Sequence, residues 1–175
     1  MFERVLVAVD GSRAARAAAA LAVRLARERE GAVHACYVVD RGEVAASGSP
    51  VFLRGEVKTE LERVGRRALA RVASLGRSGG VPCTQAVVDG TGGVPEAIAA
   101  EARRFRANVI VMGTEGHGRV RAFLLGSRAQ EMLSRAPCPV LLVPSGTARR
   151  AGAAPRARPR RRTARRRTAR RRPRG

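Results

Sequence analysis

Gly113, Gly116 and, after nine intervening residues, Gly126 followed by Ser127 have the types and the spacing to hold a polyanion. Glycine lets main chain approach a phosphate closely and turn through positive φ. Free backbone N–H groups and the positive end of a helix supply the counter-charge. Just before these residues, Val109-Ile110-Val111-Met112 reads as a buried strand of a parallel sheet. Ser127 is followed three residues later by Gln130, a capping-box pattern, and then by Met132 and Leu133 at spacings that can face a core. A strand, a glycine loop and a helix start together form what phosphate binding requires. Taken singly, each glycine is an ordinary turn residue in a chain that has 19, and Ser127 serves equally well as a plain N-cap.

The same chemistry needs elements that carry distant loops to one place. Val5-Leu6-Val7-Ala8-Val9 is an apolar run closed by Asp10-Gly11-Ser12. Ser12 is placed to cap a helix running to about Glu30, with Ala18, Leu21, Ala22 and Leu25 on one face. Residues 33 to 39 follow as a second strand ending at Asp40, and residues 41 to 55 form a connection long enough to act as a lid. Val57, Leu61, Val64, Ala68, Val72 and Leu75 repeat with a period near 3.6 and predict a long helix, despite Gly65 within it. Residues 81 to 88 read as a third strand, and Pro82 inside it lacks a ladder donor, which suits the sheet's border. Pro95 opens a helix that carries Ile98, Ala102 and Phe105 inward, and Asn108 supplies a left-handed residue before the Val109 strand. Pro137-Cys138-Pro139 introduces a last short strand, Val140 to Val143.

Alternating strands and helices of this kind predict an α/β fold, a parallel sheet with helices on both faces and ligands beyond the carboxyl ends of the strands. Asp10, residues 38 to 40 and the stretch from Gly113 onward then converge on one rim. A carboxylate facing phosphates works through a divalent cation, so Asp10 is a candidate Mg²⁺ or ribose contact. Alternatively it closes an Asx turn that only starts the helix.

A length of 175 residues fits one domain, and the charge of +21 is unevenly spread. Residues 149 to 174 hold 14 arginines and no acid, which leaves about +7 for the remainder. From about Ser145 apolar patterning stops, and a five-residue arginine repeat follows that cannot bury a core. The division is therefore a folded unit at 1–145 and a disordered basic tail at 146–175. Such a tail binds nucleic acid or anionic lipid by counterion release, without base stacking because it has no aromatic residue, or else is an extension without function. Cys36, Cys83 and Cys138 show no metal or disulfide spacing and read as buried free thiols. No apolar stretch approaches the roughly 18 residues of a membrane helix, and no signal peptide opens the chain, so the expectation is a cytoplasmic protein.

Three stretches resemble a universal stress protein domain over residues 1 to about 145. They are the opening run through Ser12, the pattern from Val109 through Ser127, and Ala136-Pro137-Cys138-Pro139-Val140-Leu141-Leu142-Val143-Pro144. The family's phosphate motif is Gly, two residues, Gly, nine residues, Gly, then Ser or Thr, and this chain satisfies it in full. The resemblance implies an adenine nucleotide alpha hydrolase-like fold, with a five-stranded parallel sheet in the order 3-2-1-4-5. It implies that ATP and Mg²⁺ bind with Asp10 near the ribose or metal and with backbone around Val38 meeting adenine. Met112, Gly113 and Gly116, with Gly126, Ser127 and Arg128, would wrap the ribose and phosphates. It further implies a homodimer through the Val140 to Val143 strand.

Two residues depart from the family pattern. Arg128 stands where a small or apolar residue is usual, and Glu115 would repel phosphate unless a cation intervenes. Arg128, Arg119 and Arg121 either add charge-assisted contacts to a terminal phosphate or are solvated loop charges. For an enzyme, the chain offers only His34, which reads as structural, and His117, placed to orient a water. It has no P-loop, no Gly-x-Ser-x-Gly elbow and a single lysine, Lys58. The expected function is an ATP-binding sensor or regulatory module in stress response. The alternatives are a nucleic-acid binder acting through the tail and a slow ATP hydrolase.

Overall fold

The computed structural model describes residues 2–46, 54–114 and 127–145. In chain order the elements are β1 (Arg4–Ala8), α1 (Arg13–Arg27), β2 (Ala32–Val39), α2 (Arg41–Ala46) and α3 (Arg54–Gly79), then β3 (Cys83–Asp89), α4 (Val94–Phe105), β4 (Val109–Gly113), α5 (Ser127–Arg135) and β5 (Val140–Val143). Every pairing is parallel, as the alternation of elements predicted, and the sheet order is β3-β2-β1-β4-β5, as the family resemblance implied.

Alternation along the strands sorts the core into two layers. Val5 and Val7 of β1, and Val9 just beyond it, lie with Val33, Ala35, Val109 and Val111 on the side of α1 and α3. Leu6 points with Cys36, Ile110 and Met112 toward α4 and α5. Helix α1 fits close to the sheet because its inner face is mostly alanine, with Ala18, Ala22 and Ala26 fully buried. The Ser12 hydroxyl caps it, accepting the Ala15 N–H at 3.0 Å. The helix stops at Arg27 rather than near Glu30: Glu30 is left-handed, with φ of 51°, and turns the chain into β2.

Gly65, which intrinsic propensity counts against a helix, has a packing reason. A Cβ there would lie 2.4 Å from the Tyr37 ring, so the bare backbone lets α3 cross over it. Part of the 41 to 55 connection is helix α2, and residues 47 to 53 lie outside the described residues.

Pro82 precedes β3 instead of lying within it, and its carbonyl accepts the Val33 N–H at 2.9 Å. An acceptor without a donor fits the entry to an edge strand, and β3 is at the edge. The left-handed residue after α4 is Arg106 (φ 53°), not Asn108. Asn108 extends the pairing of β1 instead, donating its N–H to the Arg4 carbonyl at 3.0 Å and accepting the Arg4 N–H through Oδ1 at 3.1 Å. Met132 is fully buried, whereas Leu133 is 55% exposed. Adjacent helical residues point about 100° apart, so the two cannot share one contact face. Cys36 is buried, but Cys83 and Cys138 are only partly so. No described helix is long and apolar enough to cross a membrane.

Candidate functional site at the carboxyl rim of the sheet

Parallel register brings the strand ends to one rim: Val7 pairs with Val111, and Gly113 with Val143. The end of β4 runs directly against the first turn of α1. A Cβ on Gly113 would meet the Ala14 Cβ at 2.7 Å and the Ala14 carbonyl carbon and Ala15 nitrogen at 3.1 Å. The first glycine of the motif therefore permits a close helix-strand approach within the protein, whatever else it admits. Across the mouth of β1, Asp10 Oδ1 accepts the Ser12 N–H at 2.8 Å in an Asx turn, and Gly11 takes φ of 89°. The turn reading of Asp10 is thus realised, and it fixes the carboxylate at the rim.

The end of β2 is tied to the start of α5. Asp40 Oδ1 accepts the Gly42 N–H at 2.8 Å, and its Oδ2 accepts a hydrogen bond from Arg128 Nη2. The Asp40 side chain is 20% exposed and that of Arg128 is 48% exposed. Arg128 does reach the rim, but there it holds a carboxylate. Ser127, the first residue of α5, is exposed beside it. Val38 and Met112 lie on the α4/α5 side, packed with Ala8, Val88, Val94 and Ala129 in one apolar cluster. Gly116 and Gly126 lie outside the described residues, as do Glu115, His117, Arg119 and Arg121.

Asp40 as the partner of Arg128 was not foreseen, because 88 residues separate them. The available signal was its position at a strand's carboxyl end, the same that marked Asp10.

The other end of β2 carries a polar cluster of a different kind. His34 is buried, with Nδ1 2.7 Å from Thr84 Oγ1 and Nε2 2.7 Å from Glu101 Oε1, and its ring stacks on Phe105 at 5.0 Å. Arg104 reaches Glu101 at 3.2 Å, and the Arg4 guanidinium lies over Phe105, 4.4 Å from the ring centre. Six residues of extended chain, about 20 Å, separate His34 from Asp40. His34 is thus a satisfied core residue, far from the rim. Nearby, burial and the Glu101 charge push the Cys36 thiol up to about 12, so it stays protonated. Among the described residues no group of three or more His, Cys, Asp or Glu side chains is placed to hold a metal.

The residue pattern of the universal stress protein family matches residues 1–144 of this chain. A universal stress protein of Thermus aquaticus is 39% identical over 147 residues, covering 82% of this chain and 99% of its own. A crystal structure of a universal stress protein family member from Burkholderia pseudomallei is 29% identical with a TM-score of 0.67, covering 82% of this chain and 96% of that one. Two more distant structures share the fold. The Archaeoglobus fulgidus universal stress protein in complex with dAMP has a TM-score of 0.60 at 20% identity, covering 80% of this chain and 96% of its own. A universal stress protein in complex with cAMP has a TM-score of 0.57 at 19% identity, covering 82% and 97%. The sheet is that of the adenine nucleotide alpha hydrolase-like fold. With its strand order, its rim and its residue pattern in agreement over the first 144 positions, the chain belongs to the universal stress protein family.

Proposed function

We propose that this protein binds an adenine nucleotide, ATP with Mg²⁺, at the carboxyl rim of the sheet and works as a sensor or regulatory module in stress response. The observation that carries this reading is the position of the glycine motif. It leaves β4 at Gly113, beside the first turn of α1, and ends at Ser127, the first turn of α5. The start of α5 there lies at the same end of the sheet as Asp10 and the apolar pair Val38 and Met112, the kind of helix start that attracts an anion. The dAMP and cAMP complexes of two structural neighbours support the ligand class.

In this reading backbone around Val38 meets adenine, Asp10 takes the ribose or the metal, and residues around Met112, Gly113, Gly116, Gly126, Ser127 and Arg128 take the ribose and phosphates. Magnesium binds through one or two carboxylates plus substrate phosphates and waters, so the single carboxylate of Asp10 fits that ion only together with a nucleotide. Arg128 exchanges Asp40 for a terminal phosphate when ATP arrives. The unit is residues 1–145, paired as a homodimer through β5, an edge strand on which Leu141 is 37% exposed. Residues 146–175 add a weak, salt-sensitive contact with nucleic acid in the cytoplasm.

The test is calorimetric titration of ATP, ADP, AMP and cyclic nucleotides into protein freed of copurified ligand, with and without Mg²⁺. Saturable ATP binding that is lost in Gly126→Val with circular dichroism unchanged, and kept when residues 146–175 are removed, is the expected result. Binding that survives Gly126→Val would overturn the site, and binding lost with the tail would move it there.

A further inference from the structure

On the sheet face opposite Val38 and Met112, α1 and α3 enclose a half-open cavity of about 310 Å³. It exists because Ala15 and Ala19 of α1 and Ala68 of α3 present single methyl groups where larger side chains would interlock. Its wall is almost wholly apolar, and Val9, Gly11, Ala20, Val72 and Leu75 also line it. Leu75 belongs to the predicted inward stripe of α3 yet is 40% exposed, because the surface it would cover is this groove. The volume is at the lower end of small-ligand pockets, about 300–1,000 Å³.

Two cationic side chains, Arg16 and Arg71, also line the groove, and no carboxylate does. Arg16 donates to the neutral Gly11 carbonyl at 2.7 Å, and the Arg71 side chain has no hydrogen bond or ion pair among the described residues. Arginine lays its methylene stem along apolar surface and keeps its guanidinium in water. The matching occupant therefore has a hydrocarbon body and one anionic end. Nucleotide sugar and phosphates would be stripped of water against such a wall, and the arginine segment at 149 to 174 carries the wrong charge sign.

We propose that the α1/α3 groove is a second ligand site, which binds a medium-chain alkyl carboxylate with its chain along Ala15, Ala19, Ala68 and Leu75 and its carboxylate between Arg16 and Arg71. The proposal does not rest on nucleotide binding: the groove opens on the other sheet face from Val38 and Met112, although its lining residues Val9 and Gly11 flank Asp10. Hexanoate, octanoate and decanoate, each below micelle formation, are titrated into the full chain and followed by calorimetry and by amide NMR shifts in α1 and α3. The dissociation constant should fall by up to about fourfold per added methylene until the chain outgrows the groove. Decanol should bind at least about tenfold more weakly than decanoate, and Arg71→Ala should remove most of that difference. Ala20→Leu, on the partly exposed lining, should weaken every member of the series while leaving ATP binding unchanged. Absence of saturable decanoate binding, equal binding of decanol, or capture of an acidic helical peptide in preference to decanoate would each overturn the proposal. Arg71 is exposed, so its variant tests the headgroup claim even if Ala20→Leu fails to fold.

Discussion

Gly113→Ala separates two reasons for a glycine at the end of β4. Alanine in extended chain normally stabilises relative to glycine by about 0.4–1 kcal/mol, through loss of unfolded-state freedom. Here the new Cβ would stand 2.7 Å from the Ala14 methyl and 3.1 Å from two backbone atoms of α1. Ordinary carbon contacts are about 3.5–4.0 Å, so the first turn of α1 must retreat by roughly 1 Å. Overpacking of that kind costs about 1–3 kcal/mol, and each kcal/mol is worth about 3 °C for a domain of this size. The expected result is a fall in Tm of roughly 3–9 °C, opposite in sign to a glycine held only for loop flexibility.

A double-mutant cycle with Ala14→Gly, followed by calorimetry, completes the test. Removing the Ala14 methyl relieves the nearest clash but leaves the backbone contacts at 3.1 Å, so rescue is partial and the coupling is about 1 kcal/mol. A rise in Tm for Gly113→Ala, or additive single effects, would refute the close-approach reasoning. ATP affinity in the double variant then reports the phosphate role separately: weak binding in a restored fold assigns the glycine to the ligand as well.

The remaining predictions concern the core. Gly65→Ala should lower stability by about 1–3 kcal/mol despite alanine's better helix propensity, because the Cβ meets the Tyr37 ring at 2.4 Å; a higher urea midpoint would contradict this. Glu101→Leu leaves His34 Nε2 buried without its 2.7 Å partner and should cost about 1–3 kcal/mol, seen as a lower urea midpoint at constant m-value; an unchanged midpoint would show the pair to be dispensable. The Cys36 thiol is raised from an ordinary 9.0 to about 12, so the unfolded chain loses this proton first. Its contribution to stability is intact below pH 9 and is lost as pH rises toward 12; the fall in unfolding free energy between pH 8 and 10 should be shallower in Cys36→Ala, and disulfide reagents at pH 8 should spare Cys36 in the folded chain.

The frame of the fold was legible because the apolar period switches cleanly from 2 to 3.6 and back. Val5 to Val9 and Val109 to Met112 could only be buried strands, and Pro82 correctly marked a border even though it sits just before β3. What periodicity could not carry was contact. Gly65 looked like a weakness in α3 because the Tyr37 ring that requires it lies on another element. Leu75 and Leu133 fit their helical stripes, but a stripe says which side a residue faces, not whether a neighbour covers it. Asn108 was a sound candidate for the left-handed position by type. Arg106 took it because Asn108 is bonded to Arg4 through both its side chain and its N–H.

The rim shows the same limit where function is concerned. Glycines announce a close approach without saying to what, and Gly113 already approaches α1. Asp10 likewise announces both a turn and a ligand contact, and the turn is made. Arg128 is the most informative of these residues because it reaches from the start of α5 to a carboxylate at the end of β2. The Asp40 side chain is 20% exposed against 48% for Arg128, a partly exposed pair of modest net stabilisation. In the proposed nucleotide site this is the bond that phosphate would displace, since its oxygens offer a guanidinium more charge and a second hydrogen bond. Under that proposal the departure from the family's small residue at this position is a cation stored at the rim, with Asp40 as its holder.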